Sequence, residues 1–172
     1  SPLGNYQATV TTIAPDALQP GWDLILLTCK AYDLPAAMDA IRPAVDSRSA
    51  ILPVLNGIRH IKTLQDSFGP DRVLGGLAKI QASLAPDGTI RHLNDWRWLT
   101  FGEIAGGMSE RVERIASVIS AAPGMVATAV PDIMAQMWEK IVHLGTSALC
   151  TVLMRANVGE IARSPGGIAF MH

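Results

Sequence analysis

The chain has 172 residues, 49% of them hydrophobic and 17% charged, which is ample apolar material for a folded core. A formal net charge of -1, with no run of Lys or Arg, argues against nucleic-acid and anionic-membrane partners and leaves small neutral or anionic ligands. Cys29 and Cys150 lie far apart in apolar stretches and read as buried packing thiols of a reducing compartment, so a cytoplasmic protein is expected.

In chain order, DLILLTC (residues 23–29) is a continuous apolar run of strand length, expected to be covered on both faces. Leu34, Ala37, Met38 and Ile41 keep a helical period that Pro43 ends, and SAILPVLNG (residues 49–57) repeats the strand pattern. Strand, helix and strand at this spacing predict a parallel unit, although Pro53 is an awkward residue for an inner strand. A second helix is expected over residues 59–68, then a strand in RVLGGLAKIQASLA and a turn at Pro86-Asp87-Gly88. TIRHL and WRWLTFGEI, on either side of Asn94-Asp95, read as successive antiparallel strands of an edge meander. Residues 109–122 predict a helix with Val112, Ile115, Ala116 and Ile119 inward, MVATAV a short last strand, and Pro131-Asp132 the start of a long helix.

The expected fold class is therefore α/β: a partial Rossmann-like parallel sheet with an antiparallel edge in residues 1–130, followed by the start of an all-helical portion in residues 131–172. SPLGNYQ opens inside what reads as a strand approach, and GGIAFMH stops where an apolar segment begins, so a piece of a longer protein is expected.

Ligands of open parallel sheets bind beyond the carboxyl ends of the strands, and those ends carry Lys30 and Asn56 here, with Gly57 to let the backbone turn. The plainer alternatives are a solvated lysine cap and an ordinary Asn-Gly turn. On the long helix, Gln136, Lys140, His143, Ser147 and Thr151 share one stripe, with Trp138, Val142, Leu149 and Leu153 roughly opposite. Solvated helix faces are dense in charge, whereas this one sets a single cation among neutral hydrogen-bonding groups, as a half-buried cleft wall would.

His60, His92, His143 and His172 lack metal-site spacing, so no metal is expected, and there is neither a G-x-S-x-G elbow nor a G-x-x-x-x-G-K-[ST] loop. Gly75-Gly76 and Gly106-Gly107 read as turn or packing glycines. No G-x-G-x-x-G occurs; a dinucleotide's pyrophosphate loop is thus expected upstream of Ser1.

DLILLTCKAYDLPAAM, ILPVLNGI, DGTIRH with FGEI, and MWEKIVHLGTSAL with NVGEI together resemble, in that order and spacing, the ketopantoate reductase (2-dehydropantoate 2-reductase) family. The resemblance implies an N-terminal Rossmann domain binding NADPH, a C-terminal helical domain, and reduction of a small 2-oxo acid, 2-dehydropantoate, to pantoate in the route to pantothenate and coenzyme A. Carried over by position, Lys140 matches the family's catalytic lysine, Asn56 its asparagine between cofactor and substrate, and Lys30 its lysine near the cofactor. His143 and Ser147 stand where the family usually has substrate-holding asparagines, so they are candidate substrate contacts and another 2-oxo acid is a second reading. The chain alone is expected to be inactive. A non-catalytic binding or dimerisation module of the same fold is the rival from another class. Homo-oligomer formation is expected, because the strands left without neighbours would expose unpaired edges.

Overall fold

The computed structural model describes residues 8–122 and 124–171; the opening SPLGNYQ lies outside them. β1 (Leu24–Leu27) and β2 (Ala50–Pro53) pair in parallel, Leu24 opposite Ala50 and Leu27 opposite Pro53, and α1 (Leu34–Ile41) connects them. After α2 (Arg59–Phe68), a single parallel bridge from Ile51 to Val73 joins this pair to a second group of strands. There β3 (Leu74–Leu84) pairs antiparallel with β4 (Ile90–Glu103), and β4 pairs in parallel with β5 (Val126–Ala129), which follows α3 (Glu110–Ser120). α4 (Ile133–Met154), α5 (Val158–Arg163) and α6 (Gly167–Met171) complete the described chain.

Local chemistry sets the element ends. The Ser109 side chain accepts a hydrogen bond from the Val112 N–H at the start of α3, and the Asp132 carboxylate accepts one from the Ala135 N–H at the start of α4. The NVGEI segment is a capping box: Asn157 Oδ1 accepts from the Glu160 N–H at 3.0 Å, and the Glu160 carboxylate accepts from the Asn157 N–H at 2.8 Å.

The core has two parts, one on each face of β2. Ile51 packs with Leu27, Met38, Leu64, Val73, Ile133 and Met137 on one side, and Leu52 packs with Leu74, Leu99, Phe101 and Val112 on the other. Alternation of neighbouring residues to opposite faces therefore makes β2 the strand covered on both sides. Pro53 is accommodated there because it is the last residue of the strand, with ladder bonding resumed by the Val54 N–H donating to Leu27 O at 3.0 Å.

Two expectations require correction. β1 is not covered on both faces along its length: Leu27 is buried and Leu24 packs partly against the second core cluster, but Leu26, on the same face as Leu24, is exposed. TIRHL and WRWLTFGEI are one strand, β4. Ile80 pairs with Arg97 and Ala82 with His92, so residues 93–96 lie opposite Gln81, and Asn94-Asp95 produces a bulge rather than a turn. The Asn94 amide stabilises that bulge by donating to Gln81 Oε1 at 2.9 Å, while Asn94 Oδ1 accepts from the Trp96 N–H at 3.0 Å. Along α4 burial is confined to a few positions. Ile133, Met137 and Cys150 are buried, whereas Trp138, Val142, Leu149, Val152 and Leu153 are exposed.

Candidate functional site

β1 hands the chain to Thr28, Cys29 and Lys30, and the Lys30 carbonyl then accepts the Asp33 N–H at 3.0 Å to start a tight turn. β2 hands it to Leu55, which is buried, and then to exposed Asn56 and Gly57. Gly57 has φ +90°, a left-handed conformation that a side chain would oppose, so the Asn-Gly pair turns the backbone directly at the strand end. Lys30 and Asn56 consequently share one open cleft of about 1110 Å3.

The other wall comes from β3, β4 and α4. β3 runs close against the end of β2 at Gly76, where a Cβ would stand 2.5 Å from Leu52 Cδ1 and 2.7 Å from Pro53 O. Ile133 and Met137 bury one side of α4 in the core, and Lys140 follows Met137 by three residues on the same side. Its stem passes Gly57, Gly76 and Leu77 in a tight cavity of about 10 Å3, and Nζ donates to Ala78 O on β3 at 2.8 Å. Lys140 is half-buried. Burial is the main cause that holds its pKa below the usual lysine value, and the nearby positive charge of Lys79 adds to it.

The structure thus brings Lys30, Asn56, Lys140 and His143 to one cleft, with Gln136 from the same α4 stripe. Gly57 lines the tight cavity beside the Lys140 stem. Ser147 is half-buried and not among the lining residues, one helical turn beyond His143. Sequence reasoning passed over Lys79, Glu139, Trp96 and Trp98, which also line the cleft. Lys79 and Trp98 are cross-strand partners in β3 and β4, but their pairing register is a tertiary fact that short-range patterning does not carry. Among the described residues no three His, Cys, Asp or Glu side chains gather as a metal site, and no helix is long and apolar enough to cross a membrane.

The family profile of ketopantoate reductase PanE/ApbA matches residues 1–106. An uncharacterised oxidoreductase of Bacillus subtilis, YkpB, is 32% identical over 148 residues, covering 85% of this chain and 48% of that protein. A 2-dehydropantoate 2-reductase of Archaeoglobus fulgidus is 29% identical over 143 residues, covering 83% and 47%. The crystal structure of 2-dehydropantoate 2-reductase from Geobacter metallireducens superposes with a TM-score of 0.79 at 26% identity, covering 90% of this chain and 50% of that one. The structure of a D-mandelate dehydrogenase with NADH and anilino(oxo)acetate has a TM-score of 0.72 at 22% identity over 84% of this chain and 46% of that one, a likeness of fold. The chain spans about half the length of the curated relatives it matches. With its α/β fold of parallel and mixed sheet shared across these structures, the chain belongs to the ketopantoate reductase family.

Proposed function

We propose that this chain supplies the catalytic cleft of a nicotinamide-dependent reductase that converts a 2-oxo acid to the 2-hydroxy acid, with 2-dehydropantoate to pantoate as the reaction and NADPH as the cofactor. The single observation that carries the reading is the half-buried Lys140 amine, fixed on Ala78 O in the same cleft as the strand-end residues Lys30 and Asn56. The names of its relatives support the reaction class.

Lys30 and Asn56 fit a dinucleotide by position and chemistry, a cation and an amide beyond the carboxyl ends of adjacent parallel strands. The chain contains no G-x-G-x-x-G, so no residue here is assigned to a pyrophosphate. When bound, the reduced nicotinamide supplies a hydride. Lys140 does the complementary work at the substrate oxygen. An ammonium has three N–H donors, and Ala78 O uses one, so donors remain for the carbonyl as negative charge grows on it. The pKa, held below the usual lysine value by burial and by Lys79, eases passage of a proton from Nζ to that oxygen. Asn56 and His143 are polar groups on the same cleft that can orient the ketone and the carboxylate. Ser147 keeps only an indirect role in this scheme, as the helix position behind His143. α4 walls the cleft on its side through Gln136, Lys140 and His143.

The reading is tested by incubating the complete polypeptide with 2-dehydropantoate and NADPH, and in parallel with NADH and other 2-oxo acids. Loss of reduced-nicotinamide absorbance with matching pantoate formation is expected. No consumption with any 2-oxo acid would overturn it in favour of a binding module.

A further inference from the structure

Beside Lys140 the cleft carries a second ammonium group to which the scheme above gives no task. β3 leaves the core at Leu77, which shares one buried cluster with Ile133 and Met137 of α4. Side chains two apart on a strand point to one face, so Lys79 extends from β3 on the same side, past the end of that cluster. Lys140 leaves it likewise, one helical turn beyond Met137. The two are joined through Ala78, the residue before Lys79, whose carbonyl accepts the hydrogen bond from Lys140 Nζ at 2.8 Å. Trp98 stands directly opposite Lys79 in the β3–β4 register, and both line the cleft, so this face of the hairpin looks into it.

The charges around this pair are unbalanced. Lys30, Lys79 and Lys140 line the cleft against one carboxylate, that of Glu139, and among the described residues neither Lys79 nor Lys140 forms an ion pair with an acid. Neighbouring cations repel, and that repulsion is part of what holds the Lys140 pKa down. An anion lying across both amines relieves it. A 2-oxo acid has the right shape, because its carboxylate carbon is bonded directly to the ketone carbon. With the ketone oxygen on Lys140 Nζ, the carboxylate lies beside it, within the compass of a lysine side chain rooted one residue past Ala78. We propose that Lys79 is a substrate-anchoring residue of this cleft, its ammonium holding the carboxylate of the 2-oxo acid whose carbonyl meets Lys140.

The inference rests on the reductase reading above and deepens it by giving a role to a residue outside that scheme. The other anion such a cation can take is a phosphate of the cofactor. Placement favours the substrate: Lys30 stands beyond the parallel strands, where a dinucleotide lies, whereas Lys79 belongs to the β3–β4 hairpin that anchors the Lys140 amine.

The test measures kcat/KM of the complete polypeptide with NADPH for 2-dehydropantoate and for its lactone, which keeps the ketone and has no free carboxylate. Wild type is compared with Lys79→Met, Lys79→Gln and Lys79→Arg. The two neutral variants should lower the ratio of acid to lactone by about tenfold or more, the size of a hydrogen bond to a charged group, chiefly through a higher KM for the acid. Lys79→Arg should keep most of the ratio. A change in the Lys140 pKa acts on both substrates alike, so the ratio separates the carboxylate contact from the influence of Lys79 on that amine. A ratio unchanged in Lys79→Met and Lys79→Gln, or a loss confined to KM for NADPH, would overturn the anchor while leaving the reductase standing. Failure of wild type to reduce either compound would overturn both.

Discussion

At the scale of single residues, the behaviour of Lys140 follows from two neighbours. Its amine is partly removed from water and sits near the charge of Lys79, and both effects favour the neutral form. Under the proposed mechanism the charged amine is the active form. Activity should therefore fall as pH rises through a pKa below that of an ordinary lysine. Lys79→Met removes the smaller cause and leaves burial in place, so it should move the alkaline limb of the kcat/KM profile upward. A limb that does not move would show that Lys79 has no electrostatic reach to the amine.

Among elements, the end of β4 is tied to α3 by a part-buried ion pair. Arg111 Nε donates to Glu103 Oε1 at 2.7 Å, the Ser109 hydroxyl donates to the same carboxylate, and another Arg111 nitrogen reaches Asp71 O ahead of β3. The bond from Arg111 is the main cause that holds the Glu103 pKa below the usual carboxylate range. A folded-state pKa below the unfolded one contributes stability above the unfolded value, and that contribution is lost as pH falls through the folded one. Glu103→Gln should lower stability by about 1–3 kcal/mol at neutral pH, typical of hydrogen bonds to charged groups. Urea midpoints of the two proteins should converge in acid; an equal gap at both pH values would contradict the ion pair's role.

Elements were also where sequence patterning was most legible. The apolar period of α2 predicts its observed span Arg59–Phe68, and the caps at Ser109 and Asp132 mark where α3 and α4 begin. Asn94-Asp95 misled because the same residues favour a turn or a bulge, and the choice is made by the partner strand, where Gln81 meets Asn94. Lys140 and Asn56 were legible as an odd cation and a strand-end amide. Trp96 and Trp98 were not, since alternation assigned one face of that strand to water without saying what it overlooks.

For the whole molecule, the outstanding property is apolar surface without a cover. Trp138, Val142, Leu149 and Leu153 face outward on one side of α4, and β1 has no strand paired on its outer edge among the described residues. Contiguous exposed apolar surface and open strand edges drive association. This 172-residue chain should therefore sediment as a concentration-dependent mixture, and Val142→Glu with Leu149→Glu should shift it toward monomer. A clean monomer at every concentration would contradict the expectation.

The central claim is that the Lys140 amine is the group that meets the substrate oxygen, and the most direct measurement is kcat of Lys140→Ala in the complete polypeptide beside its affinity for NADPH. Loss of one such electrostatic group should cost about 100-fold or more in rate with cofactor binding retained. Near-normal turnover in that variant would contradict the account.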